Sequence, residues 1–312
     1  MLRSLSRLLW YTVASLVVAV AVLVSLARVF FPVLGGYRAD LEHWVSRQLG
    51  EPVTIAALDA TWRGVHPVLK LKGIRLLDRD TGRVLVRAHE LRIAVDLWRS
   101  VQDATVYPAG ISLVGARLGF VHLPGGRITL DGLQHHPIRK VPLALILAQN
   151  RVTLVDSTVG WRDLSRPGSA PLVFRQVKIE LENAGARHRL RGHLQLPPAL
   201  GDQLTFGADL HGRADRPEGW RGTVYGNGQA LQLASVLGHH TPAGLQLGGV
   251  AAVRCWVRMD QSRLRDVTAV VSGEQLQMAA PGQGVPPFHA AGLQGRFHWH
   301  RLQGGWRLDA DR

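Results

Sequence analysis

The chain reads as mainly β: an N-terminal transmembrane helix and a short amphipathic helix, then an elongated, curved, largely antiparallel sheet forming an apolar groove. Three observations predict this. The twenty residues Leu8–Ala27 carry no charge, and about twenty apolar residues cross a ~30 Å hydrocarbon core. From Val53 to the last residue hydropathy alternates with period two, the spacing of strands with one buried face. Helical periodicity in that body is confined to Pro142–Ala148 and Ala230–Leu237, too little to cover so much strand.

The anchor is placed at 8–34, with Trp10, Leu16, Val20, Leu23 and Phe30 among its apolar side chains. Ser25-Leu26-Ala27 would suit a cleaved signal peptide, but the apolar run continues past Arg28 through Leu34 and exceeds a signal core of 7–15 residues. Arg3 and Arg7 precede it without an acidic neighbour. Cationic flanks stay cytoplasmic, so residues 1–7 form a cytoplasmic tail and the body faces the other side.

Gly35-Gly36 breaks the anchor, and Tyr37, Leu41, Trp44, Val45 and Leu49 then fall on one face of a 3.6-residue period. This predicts an amphipathic helix over 36–50, ended by Gly50 and Pro52. It caps the first strands or lies on the membrane surface with Trp44 at headgroup depth.

The strand region is placed at 51–312. Leu91, Ile93, Val95 and Leu97 alternate with Arg92, Ala94, Asp96 and Trp98; Val177, Ile179 and Leu181 alternate with Lys178, Glu180 and Glu182. Leu204, Phe206, Ala208 and Leu210, and later Leu293, Phe297 and Trp299, repeat the pattern. Asp80-Thr81-Gly82, Pro124-Gly125-Gly126, Asp215-Arg216-Pro217 and Gly304-Gly305 supply turns. Two architectures satisfy this: two sheets packed face to face, or one long curled sheet with part of its apolar face open. Leu113-Val114 with Leu118-Gly119-Phe120 is echoed 41 residues on by Leu154-Val155 with Val159-Gly160-Trp161, a period expected of stacked units. Trp306, Leu308 and Ala310 still alternate as the sequence stops, so we expect a segment of a longer repeat array.

Composition narrows the function classes. Cys255 is alone, so no intrachain disulfide is available. The net charge of +14 is spread rather than blocked, which disfavours nucleic acid and suits solubility or attraction to anionic lipid headgroups. Fourteen histidines include His298 with His300 and the pairs His135-His136 and His239-His240, but no zinc-ligand spacing accompanies them. No Gly-x-Ser-x-Gly elbow is present. Asp156 and Asp163 flank Trp161 without a recognisable cleft, and Gly125-Gly126 and Gly248-Gly249 lack the lysine of a phosphate loop. We assign no catalytic residue, metal or cofactor. Trp62, Trp98, Trp161, Trp220, Trp256, Trp299 and Trp306 are scattered, as packing anchors would be.

The order of several segments resembles the AsmA-like superfamily, in particular the N-terminal region of YhdP-type envelope proteins of Gram-negative bacteria. The segments are Leu49-Gly50-Glu51-Pro52-Val53, then Leu58, Trp62 and Gly64 before Pro67, Leu91 through Ser100, and Val152 through Val159. The resemblance implies an inner-membrane-anchored periplasmic protein of repeating β-groove units, part of a bridge carrying phospholipid toward the outer membrane, with outer-membrane or other envelope proteins as further partners. An apolar groove agrees physically, since each CH₂ exposed to water costs roughly 0.8 kcal/mol. On that reading Ile93, Val95, Ile179, Leu194 and Phe206 line the lipid path. A non-catalytic scaffold binding envelope proteins through a packed β-body is the alternative.

Overall fold

The computed structural model describes residues 36–63, 66–102, 107–132, 146–147, 149–166, 168–213, 216–237, 246–280, 285–302 and 305–311. The anchor residues Trp10, Leu16, Val20, Leu23 and Phe30 lie outside them. Among the described residues no helix is long and apolar enough to cross a membrane.

Helix α1 is Arg38–Leu49 and stops at Gly50, whose φ of 81° closes the last turn onto the Ser46 carbonyl. The sheet follows: β1 Val53–Thr54, β2 Ala57–Arg63, β3 His66–Leu77, β4 Val84–Val95, β5 Pro108–Val114, β6 Arg117–His122, β7 Ile128–Leu130 and β8 Arg151–Asp163. It continues with β9 Leu172–Ala184, β10 Arg187–Gln195, β11 Gln203–Arg213, β12 Arg216–Gln232, β13 Gln246–Asp260, β14 Arg263–Ala280, β15 Val285–Leu302 and β16 Gly305–Asp311. Two short helices interrupt it, α2 Leu97–Gln102 after β4 and α3 Leu233–Leu237 after β12.

All sixteen strands belong to one large curved sheet, with the through-order β1, β3, β4, β5, then β8 to β16 in succession. β2 continues β1 along the outer side of β3, and β6 continues β5 alongside β8. Neither end strand pairs with the other, so the sheet is open. The face-to-face sandwich is therefore not the architecture.

Pairing is antiparallel except for one step. β5 and β6 run parallel to β8, with Leu113 beside Leu154, Val114 beside Val155, Leu118 beside Val159, Gly119 beside Gly160 and Phe120 beside Trp161. The echo at offset 41 is this register: the two copies lie side by side, each residue next to its counterpart.

Three expectations are corrected. Leu97 and Trp98 do not extend β4. Asp96 Oδ1 accepts the Arg99 backbone N–H at 3.1 Å and so caps α2, which turns the chain out of the sheet and leaves Trp98 75% exposed. The tryptophans are not uniformly packing anchors either, since Trp306 at 65% and Trp256 at 39% also face outward. Ala230 belongs to β12, and the helix expected from it begins at Leu233. Most of Pro142–Ala148, with His135, His136, His239 and His240, lies outside the described residues.

Curvature has a local cause. Register slips occur in β8 between Leu154 and Val159, in β10 between His193 and Gln195, in β12 between Gly228 and Leu231 and in β13 between Gly248 and Val250. Near them Asp156, Gln176, Ala230 and Gln275 adopt φ of 48–49°. Each slip places extra backbone on one strand, which bends and twists it. Repeated from strand to strand, such bulges curl the sheet.

Candidate functional site

Alternation puts odd and even residues of a strand on opposite faces, and register aligns those faces between strands. Followed from β2 to β16, one line of directly opposed residues reads Ala60, Leu69, Ile93, Ile111, Val152, Leu181, Leu190, Ala208, Val224, Val257, Val267, Trp299, Leu308. The parallel line two residues away reads Leu58, Leu71, Leu91, Leu113, Leu154, Ile179, Gly192, Phe206, Gly226, Cys255, Ala269, Phe297, Ala310. Neither contains a polar side chain apart from the thiol. At about 4.8 Å per strand they run roughly 60 Å across the sheet.

Ile93 lies in the first row and Ile179 and Phe206 in the second, while Val95 and Leu194 fall on the same face by alternation. The five residues singled out from the sequence therefore share one surface. Gly192 has a steric reason: the Phe206 ring lies across it, and any Cβ there would overlap the ring.

The two ends of this surface differ. Over β1–β4 it is covered by protein. Leu41, Val45 and Leu49 of α1 pack on a core of Val53, Ile55, Leu58, Leu71, Leu76 and Leu85, with Leu69, Leu91 and Ile93 against it. Leu71 is 4% exposed and Leu58 8%. Three side chains fix α1 there: Glu42 Oε1 accepts the Ile55 N–H at 2.6 Å, Ser46 Oγ accepts the Val53 N–H at 2.9 Å, and Arg38 donates to the Ile55 and Ala56 carbonyls at 3.3 Å. Tyr37 and Trp44, expected on the same helix face, instead point outward at 58% and 54% exposure.

From β8 onward the row residues stay half-buried, and exposed at β16; the short α3 packs on β13 and β12, where Ala251 is buried. Along β13 the apolar Val253, Cys255, Val257 and Met259 are half-buried, while Arg254, Trp256 and Arg258 between them are exposed. At β16 even Leu308 is 54% exposed. The surface is thus an apolar trough closed at its first strands by α1.

The opposite face, one residue away, carries a charge ladder. Across β8 to β16 the opposed residues are Arg151, Glu182, Arg189, Asp209, Thr223, Arg258, Asp266, His300 and Arg307. Ion pairs join Arg151 to Glu182 at 3.1 Å, Arg189 to Asp209 at 3.5 Å and Arg258 to Asp266 at 3.5 Å, and His300 Nδ1 lies 2.8 Å from Asp266. Arg187 donates to Asp209 and, with Arg189, holds its carboxyl down at about 2. Exposed pairs contribute little energy each. A one-residue slip, however, would set charges into the trough, so the ladder enforces register.

His122, Asp163 and Ser165 form a cluster with the composition of a hydrolase triad but not its wiring. The Ser165 hydroxyl and Asp163 both approach the same ring nitrogen, Nδ1 of His122, at 3.3 and 2.9 Å, and Ser165 also donates to Asp163. A relay requires serine and carboxylate on opposite nitrogens, so this geometry supplies no activated nucleophile. It pulls Asp163 below the usual carboxylate range, through Ser165 first and His122 second. Asp156 stands at the β8 bulge, seven residues earlier in the strand. His298 and His300 stack at 5.8 Å but bond Thr268 and Asp266, and no group of three or more metal-ligating side chains occurs among the described residues.

Comparison with known proteins places this architecture. A 100-residue segment is 33% identical to the intermembrane phospholipid transporter YhdP of Escherichia coli (strain K12). That segment is 32% of this chain and only 8% of the transporter's length. The YhdP protein family model matches residues 1–312, and the chain belongs to the YhdP family.

Proposed function

We propose that this chain is an inner-membrane-anchored, periplasmic section of a phospholipid conduit, anchored by residues 8–34, with its N-terminus cytoplasmic and lipid acyl chains lying on the two apolar rows. One observation carries the reading. Two uninterrupted apolar rows cross β2 and twelve strands of the through-path, yet among the described residues their fully buried members are Leu58 and Leu71, in the core that α1 covers. A surface burying nothing else would leave many apolar side chains half in water, each losing about 25 cal/mol per Å² of unburied area. Acyl chains relieve that cost, while headgroups stay in water at the rim. The scaffold alternative requires protein to fill the trough.

Family membership and the partial match to an intermembrane phospholipid transporter support the same reading. Phospholipid is the ligand, and outer-membrane or other envelope proteins are partners; no catalytic step is assigned.

The test is site-specific photo-crosslinking in the full chain within the membrane, with the photoreactive residue at Phe206 or Val257 of the trough and at Arg254 on the reverse face of β13. Phospholipid adducts at the first two and none at Arg254 are expected. A folded protein giving adducts at neither trough position overturns the conduit.

A further inference from the structure

The charged face also contains a cavity that the trough does not use. It spans β2 to β9 and measures about 640 Å³. Its hollow comes from small side chains: Ala94, Gly110, Ser112 and Thr153 lie on neighbouring strands β4, β5 and β8. A Cβ at Gly110 would already touch Arg151 at 3.4–3.5 Å. Around this floor stand four long cations, Lys70, Arg92, Arg151 and Lys178.

The four are not equivalent. Arg92 is held by Glu90 at 2.9 and 3.1 Å, and Arg151 by Glu180, itself in the lining, and Glu182. These carboxylates balance the guanidiniums and set them in place. Lys70 and Lys178 stand in no ion pair among the described residues, whereas nearby Lys72 is bonded to Asp59 at 2.7 Å. The chain has only four lysines, Lys70, Lys72, Lys140 and Lys178, and of the three that are described, the two without an ion pair face the same hollow. An ammonium is a strongly hydrated point charge with three donors, suited to a compact oxyanion. The Ser112 and Thr153 hydroxyls add neutral donors at the floor.

We propose that this cavity binds a phosphate ester, with Lys70 and Lys178 as its counter-cations, Arg92 and Arg151 as fixed side walls, and Ser112 and Thr153 beneath. The ester is either the headgroup of an anionic phospholipid or a free glycerophosphate, since both present a tetrahedral phosphorus bearing anionic oxygens. The anionic oxygens of a phosphate accept from both lysines without displacing Glu90 or Glu180 from their arginines. A flat aromatic or neutral sugar would leave both ammoniums unmatched. Its charged and hydroxyl side chains lie on the face opposite the apolar rows, while Ile111 and Ile179 of the rows border the hollow.

The experiment uses the full chain in neutral detergent micelles and compares amine acetylation rates at Lys70, Lys178 and Lys72 by mass spectrometry. Two probes are used, soluble glycerol 3-phosphate and phosphatidylglycerol doped into the micelles. Slowing of Lys70 and Lys178 by about threefold or more, with Lys72 unchanged, is expected and should fade as salt screens the anion. Protection by glycerol 3-phosphate assigns a free ester; protection by phosphatidylglycerol alone assigns a headgroup. No slowing with either probe, or equal slowing at Lys72, overturns the site. The double substitution Lys70→Gln and Lys178→Gln should raise the apparent Kd about tenfold, while Lys72→Gln leaves it unchanged. Far-UV circular dichroism of each variant separates lost binding from lost fold.

Discussion

Strands β2 to β4 and the last nine present the same apolar rows and treat them differently. At β3 the row residue Leu71 is sealed beneath α1; at β13 its counterpart Cys255 stands half-buried with no helix of comparable length above it. The strands do not differ in kind, since both alternate apolar and polar residues. What differs is the lid. A leucine row is therefore not by itself a hydrophobic core; it becomes core where the chain supplies a cover and an adsorbing surface where it does not.

The contrast is broken most directly at its covered end. Leu71→Ala should cost about 3 kcal/mol, whereas Val257→Ala should cost about 1 kcal/mol or less because Val257 is already half exposed; thermal unfolding of the two variants checks this. Equal losses would mean the rows are packed alike. Next comes Val224→Asp, which places a charge between Ala208 and Val257. It should leave folding nearly intact yet reduce phospholipid capture by a photoreactive residue at Phe206 several-fold, since a charge in acyl-chain surroundings costs on the order of 3 kcal/mol. Cys255 gives a gentler reading as the sole thiol in the second row. Its reaction with a water-soluble maleimide should slow about threefold when phospholipid is added, by excluding water from the trough.

Smaller effects probe the curl and the charged face. Gln275→Gly should stabilise the protein by about 0.5 kcal/mol, because relief of the left-handed conformation outweighs the entropy of glycine; chemical denaturation measures it. Asp209 gives the smallest. Its carboxyl is depressed to about 2, so whatever stability it contributes is fully present above the ordinary value of 3.8 and is lost as pH falls toward 2. Asp209→Asn should remove that part of the acid dependence and lower stability slightly near neutrality, where the contribution is fully present.

Much of the sheet was legible in the sequence because alternation is a local signal. The faces of Ile179, Phe206 and Val257 follow from their neighbours alone. The rows were not legible, since they depend on register between strands distant in sequence, and the slips at β8, β10, β12 and β13 shift that register without a compositional mark. The 41-residue echo was visible, but its meaning as a parallel pairing was not, because repetition does not state how copies are arranged. Leu97 was misread for a nameable reason: alternation continued past Asp96, and the capping aspartate was the stronger signal. The cation cavity was invisible as well, since Lys70, Arg92 and Lys178 come together only when β5 and β8 run parallel.

Because β2 and every strand on the path from β3 onward donate one residue to each row, the reach of the trough is counted in strands rather than in their length. Adding a strand advances the surface by one inter-strand spacing, about 4.8 Å, and leaves existing neighbours undisturbed apart from the strand it pairs with. The fold is a ruler that grows by copying, and duplication of a segment such as the one behind β5, β6 and β8 lengthens it without redesign.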